Sequence, residues 1–263
     1  MNKEHWMILF SHIPKTAGTT IKYILRNNLG TKHIDSNKTK KSPFLQADLE
    51  FAQKIFRNPI AISGHNLVNP LFHLKVENPQ LISILRNPVH RCASHYQDLV
   101  MRNNLKTSFP EWIQIEDNQN LSVKTIAGSD DLKYAKTLLL EKYSFVGITE
   151  HFEDSLKLLK LSIKPDLDIR YRNMIVAPDN TVKNRLLSDK ESLNLLRKYN
   201  ELDEQLYNFA LEFVFIRKLE LHRGQIEKIH FPKVARNKRE ERKLRQSKRF
   251  NDYYYRQLIK IFR

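Results

Sequence analysis

The chain has 263 residues, 41% of them hydrophobic and 10% aromatic, which suits one large folded domain and excludes a low-complexity or disordered chain. Its single cysteine, Cys92, excludes an intrachain disulfide and fits a reducing compartment. The formal net charge is +16, yet no apolar run approaches the roughly 20 residues of a membrane span, and the N-terminus lacks the basic-then-apolar order of a signal peptide.

In chain order, Trp6 to Phe10 reads as a buried strand that stops at the turn Pro14-Lys15-Thr16-Ala17-Gly18-Thr19-Thr20. Ile21, Ile24 and Leu25 follow at helical spacing, and Gly30 ends that helix. Strand, small-residue turn and helix N-terminus together form an anion cradle of backbone N–H groups. Lys15 adds a mobile cation, and Thr16, Thr19 and Thr20 add hydroxyl donors. The turn lacks the G-x-x-x-x-G-K-[ST] order of a Walker A loop, since Lys15 precedes Gly18.

Thr31 to Pro43 reads as a polar loop and Leu45 to Phe56 as a helix. Pro59 to Ser63 is a short strand running into Gly64-His65, and Gln80 to Leu85 a buried strand ended by Arg86-Asn87-Pro88. Pro88 suits a first helical turn, and Val89, Cys92, Ala93, Tyr96, Leu99 and Val100 recur at helical spacing. Phe109 to Gly128 reads as helix in pieces and Leu132 to Lys142 as a further helix. Ser144 to Ile148 is a strand, with Thr149 as N-cap of a helix through Leu161. Ser188 with Glu191 reads as a capping box, and a last long helix runs from about Asn200 to Leu219. Alternating strands and helices imply a parallel sheet covered on both faces. Ligands bind such sheets at the carboxyl ends of the strands, where Lys15, His65 and Arg86 all fall.

The segment His12-Ile13-Pro14-Lys15-Thr16-Ala17-Gly18-Thr19-Thr20 resembles the 5′-phosphosulfate loop of carbohydrate sulfotransferases, the group that includes heparan sulfate 2-O- and 6-O-sulfotransferases. Four further segments resemble that family in the same order: Ile62 to His65, Leu85 to Tyr96, Phe145 to Leu156, and Asp203 to Tyr207. The resemblance runs from about His5 to Phe215 and implies an α/β three-layer sandwich with a central, mostly parallel sheet and a P-loop-like phosphosulfate loop. It implies a sulfotransferase domain over residues 1–216 and leaves 217–263 as a basic helical C-terminal extension.

The implied activity is sulfuryl transfer from 3′-phosphoadenosine 5′-phosphosulfate (PAPS) to a carbohydrate hydroxyl, with no metal. By position in the family motifs, Lys15, Thr16, Ala17, Gly18, Thr19 and Thr20 would wrap the 5′-phosphosulfate. Lys15 would also stabilise charge on the leaving oxygen. Arg86 and Ser94 would hold the 3′-phosphate, and His65 would be the base that takes the acceptor's proton. Asn120 to Gly128 resembles a family segment near the acceptor, but Val123 and Lys124 stand where Gln or Arg is usual. Thr149-Glu150 and Asp203 to Tyr207 read as structural helix signals, and His12 and His95 as ordinary core or surface histidines. No Cys, His or carboxylate set has metal-ligand spacing.

Two rival functions remain: a nucleotide-dependent kinase of related fold, against which the missing Walker A order and Mg²⁺ pattern argue, and a non-catalytic binder of anionic polymers. From Arg217 to Arg263 there are sixteen Lys/Arg against five Asp/Glu, a net of +11, which leaves only +5 for the preceding 216 residues. Arg236 to Arg263 reads as a basic helix with Phe250, Tyr254, Leu258 and Ile261 on one stripe. Such a helix would pack on the domain or receive an acidic polysaccharide or an acidic membrane face. No zinc-finger, RNP-like or helix-turn-helix signature points to specific nucleic acid. Animal members of the resembled family are Golgi proteins with an N-terminal anchor. Here the first strand begins almost at Met1, so the expectation is a cytoplasmic protein, soluble or peripherally membrane-associated, of bacterial type, or else an excised lumenal catalytic domain.

Overall fold

The computed structural model describes residues 6–36, 43–56, 59–68, 71, 74–171 and 179–230, with isolated positions beyond 241. Five strands form one parallel sheet: β1 (Met7–Ser11), β2 (His33–Asp35), β3 (Ala61–Gly64), β4 (Pro79–Leu85) and β5 (Tyr143–Ile148), in the order β2-β3-β1-β4-β5. All five residues of β1 are buried, as expected of a central parallel strand covered on both faces. Ser11 aligns with Gly64 of β3 and with Ser83 of β4, and Leu85 aligns with Ile148 of β5. This register brings the ends of β1, β3, β4 and β5 out on one edge of the sheet.

The chain leaves β1 towards β3 and β2, then crosses back past β1 to β4 and β5. The crevice of such a fold opens between strands whose connections run in opposite directions, here β1 and β4. The helix after β1 is α1 (Gly18–Leu29), whose Ile21, Ile24 and Leu25 are buried against the sheet. It ends on Gly30 at φ +57°, a conformation that glycine reaches without Cβ strain. Then come α2 (Gln46–Ile55), α3 (Pro88–Asn103), α4 (Phe109–Gln114), α5 (Leu121–Ala127), α6 (Leu132–Glu141), α7 (Phe152–Ile163), α8 (Thr181–Ser188), α9 (Lys190–Lys198) and α10 (Glu201–Phe209). The main core surrounds the sheet. A second apolar cluster, around Cys92, Tyr96, Phe109, Trp112 and Leu196, joins α3, α4, α8 and α9.

Several elements differ from the sequence reading. The polar stretch read wholly as a loop contains β2, whose three residues pair with Ala61, Ile62 and Ser63. Ile34 is its one aliphatic residue, so pairing rather than pattern makes the strand. Ser188 closes α8 instead of opening a helix, and the cap of α9 is Asp189, whose carboxylate accepts from the Ser192 N–H at 2.8 Å. Thr149 opens a single 3₁₀ turn (Thr149–His151) and makes no cap. The long final helix forms, but Ala210–Ile216 winds as a π-helix before α11 (Arg217–Leu221). After α11 comes α12 (Arg223–Lys228), whose Ile226 is buried in the main core. Helix thus crosses from 216 to 217 without a break. The tail residues Phe250, Tyr254, Leu258 and Ile261 lie outside the described residues.

Asp203 and Asn120 explain two of the quoted segments. The Asp203 carboxylate accepts from the Ser122 and Val123 N–H groups at 3.0 and 2.8 Å, capping α5. In return the Asn120 side chain accepts from the Leu202 and Asp203 N–H groups opening α10, at 3.1 and 3.3 Å. The fully buried Arg91 lies 3.7 Å from Asp203 and donates to the Asn200 side chain at 3.2 Å. These contacts lock α3, α5 and α10 behind the sheet edge.

Candidate active site

The loop after β1 takes an unusual backbone path. Lys15 and Ala17 have φ of +68° and +64°, the left-handed region that residues with a Cβ seldom enter. They alternate with Thr16, and such alternation turns successive N–H groups to one side as an anion-binding nest. The N-terminus of α1 follows at once, with no side-chain cap and no acidic residue in its first turn, so its leading N–H groups and dipole face the same space.

Two long-range contacts hold this loop against the ends of β4 and β5, and a third ties those ends to each other. Arg86, just after β4, donates from Nη1 to the Lys15 carbonyl at 3.0 Å. The Thr149 hydroxyl, just after β5, lies 3.0 Å from the Thr16 carbonyl and 2.9 Å from the Leu85 carbonyl. Inside the loop, the Thr16 hydroxyl donates to the Ile13 carbonyl at 2.8 Å and is fully buried. The expected hydroxyl donor at Thr16 therefore points inward, and only its backbone can face an anion.

A cleft of about 600 Å³ opens here. Lys15, Ala17, Gly18, Thr19, Thr20, Arg86 and Ser94 all line it. Burial lowers the Arg86 pKa while the nearby Glu150 carboxylate opposes that change. Glu150 is itself held by the Asn87 N–H at 3.0 Å and the Tyr207 hydroxyl at 3.1 Å, which gives Thr149-Glu150 and Tyr207 their structural purpose. The cleft also gathers residues that sequence reasoning left aside. Asp98 accepts from Lys15 at 3.1 Å and from Arg102 at 3.0 Å. Asp98 follows Ser94 by four residues on α3, so helical spacing puts both on one face. Lys183 and Asn180 come from the start of α8, and Phe152 and Tyr171 meet edge-on at 5.3 Å.

His65 is not part of that lining and reaches the cleft through His12, which is. The two imidazoles stack at 4.1 Å with 29° between planes, and His65 Nδ1 lies 2.5 Å from the His12 carbonyl oxygen. Crowding by neighbouring atoms lowers the His65 pKa, Lys22 lowers it further, and the bond to His12 and the Asp35 carboxylate oppose the shift. Among the described residues, no group of three or more His, Cys, Asp or Glu could hold a metal ion. Among the same residues, no helix is long and apolar enough to cross a membrane.

The family model described as "Sulfotransferase family" matches residues 1–210. The chain belongs to the sulfotransferase family. Heparan sulfate 2-O-sulfotransferase of Caenorhabditis elegans is 28% identical to this chain over an alignment of 198 residues that covers 61% of this chain and 60% of that protein. Heparan sulfate 2-O-sulfotransferase 1 of Mus musculus is 25% identical over 260 residues, covering 82% and 72%. The Homo sapiens enzyme of the same name is 25% identical over 262 residues, with the same coverage. The chain spans three fifths of the nematode relative it matches.

Proposed function

We propose that this chain transfers a sulfuryl group from PAPS to a hydroxyl of an acidic polysaccharide of the heparan sulfate type. In this reading the nest at Lys15 to Ala17 and the first N–H groups of α1 hold the 5′-phosphosulfate, with Thr19 and Thr20 adding hydroxyls. Arg86 and Ser94 take the 3′-phosphate. The acceptor oxygen attacks sulfur as the bond from sulfur to the 5′-phosphate oxygen breaks, and adenosine 3′,5′-bisphosphate leaves. Lys15 stabilises the charge growing on that oxygen. His65 Nε2 takes the acceptor's proton, because the His12 carbonyl engages Nδ1. Negative sugars would meet a cleft whose rim carries Arg102 and Lys183. A cytoplasmic site of action, soluble or at an acidic membrane face, goes with the lone cysteine and the basic tail.

The observation that carries this reading is the junction of three strand ends. The phosphate-type loop after β1 is bonded to Arg86 after β4, and the same β1 exit is bonded to His65 after β3. The test is incubation with radiolabelled PAPS and a panel of heparan-type, chondroitin-type and neutral polysaccharides. Label is expected in the acidic polymers, and adenosine 3′,5′-bisphosphate, unlike ATP, is expected to raise the melting temperature. His65→Ala should lower turnover roughly 100- to 10,000-fold with little change in nucleotide affinity. Because the His65 pKa is lowered from 6.5, its neutral form persists below that pH, and the acid limb of the rate profile should lie there. A melting shift from ATP alone, with no label transferred, would favour a kinase instead.

A further inference from the structure

We infer that His12 is the positioning residue of the site, holding the His65 ring in one tautomer and one orientation with both its carbonyl and its imidazole. The inference rests on His65 being the base. His12 is only 5% exposed and stacks with two rings, Phe10 at 5.4 Å and 17° and His65 at 4.1 Å and 29°. Its remaining edge is closed by Gly18: a Cβ placed there would lie 1.9 Å from the His12 ring. The backbone of His12 is fixed as well, since its N–H donates to the Gly64 carbonyl at 3.1 Å. The carbonyl that receives His65 Nδ1 therefore cannot drift.

This arrangement joins the two halves of the site. His12 lines the cleft that Lys15 and Arg86 line, while the exposed His65 stacks on the His12 ring. Among the described residues, Nδ1 of His12 is buried with no hydrogen-bond partner. Burial lowers the His12 pKa well below 6.5, and the neighbouring His65 and Lys22 lower it further. His12 thus stays neutral when His65 gains a proton. A second imidazolium at 4.1 Å would oppose that gain, whereas a neutral ring face accepts a cation. The charged groups facing the pair are Lys22 of α1 and Asp35 of β2, and His95 of α3 senses both His65 and Lys15.

The experiment follows the His65 imidazole by nitrogen-detected NMR through a pH titration, in the full chain and in His12→Ala, His12→Phe and Gly18→Ala, with turnover measured in parallel. In the parent chain one tautomer, protonated at Nδ1, is expected. His12→Ala keeps the carbonyl but removes the ring that holds His65 against it, so the tautomers should mix, the His65 titration should shift, and turnover should fall roughly 10- to 100-fold. Gly18→Ala, which displaces the His12 ring, should do the same, and His12→Phe should restore the tautomer and part of the turnover. An unchanged His65 titration in His12→Ala and Gly18→Ala overturns the inference even if turnover falls. If His12→Ala does not fold, a mixed tautomer in His12→Phe, where the stack is kept, overturns it equally. Wild-type turnover in His65→Ala would instead remove the base assignment, so the two failures are told apart.

Discussion

The two sides of the cleft are held in place by different means. On the β4 and β5 side, side chains anchor to backbone carbonyls: Arg86 to Lys15, Thr149 to Thr16 and Leu85, and Ser83 to Ser11 at 2.9 Å. On the β3 side, His65 engages the His12 carbonyl and joins a stack of rings. Backbone anchors fix a loop whose groups must surround a polyanion without moving. Ring stacking leaves a base room to accept and release a proton while its axis stays aimed. In the proposed function the first is the donor side, suited to rigidity, and the second the acceptor side, suited to proton transfer.

Breaking the stronger side should have the larger effect. Arg86→Ala would remove both the proposed phosphate contact and the bond to the Lys15 carbonyl. Hydrogen bonds to charged groups contribute about 1.5–3 kcal/mol, so affinity for adenosine 3′,5′-bisphosphate should fall roughly 10- to 150-fold. Adenosine 5′-monophosphate, which lacks the 3′-phosphate, should lose only the part due to the loosened loop. Equal losses for both ligands by calorimetry would reduce Arg86 to a loop anchor. Thr149→Val is gentler, since it deletes one hydroxyl between two carbonyls and keeps the shape. A loss of about 1–2 kcal/mol is expected, read as a melting temperature lower by several degrees, with weaker nucleotide binding and an unaltered His65 titration. A shifted His65 titration would show that the two sides are mechanically one.

What could be read in the sequence follows the same division. The strand β1, the turn at Pro14 to Thr20 and the helix α1 are local in sequence, so periodicity and turn chemistry reveal them. Arg86 and His65 stand directly after strands, where a parallel sheet must bring them together. Other features depend on groups far apart in the chain. Thr149 looks like a helix cap until the carbonyls of Thr16 and Leu85 are seen beside it. The strand β2 has one aliphatic residue and exists through its pairing with β3. His12 looks like any histidine beside a strand end, because the stack on His65 joins positions 53 residues apart. Asp98 was open to discovery through its spacing from Ser94, but an acidic residue in a polyanion site runs against expectation.

That acidic residue offers the smallest and sharpest test of the donor side. Asp98 lies between Lys15 at 3.1 Å and Arg102 at 3.0 Å, in the cleft proposed to receive a phosphosulfate. Its carboxylate engages the Lys15 ammonium, for which an incoming anion would compete. Lys15 and Asp98 are 23% and 30% exposed and Arg102 is 50% exposed, so the ion pairs contribute little stability, about 0–1 kcal/mol. Asp98→Asn keeps the shape and removes the competing charge. Affinity for adenosine 3′,5′-bisphosphate should therefore rise a few-fold at low ionic strength, and the gain should shrink as salt is added, since these charges are partly screened. The melting temperature should hardly move. Weaker nucleotide binding in Asp98→Asn would reverse the assignment: Asp98 would then be the group that aims Lys15 at the donor, and the rigidity of this side would extend from its backbone to the Lys15 ammonium.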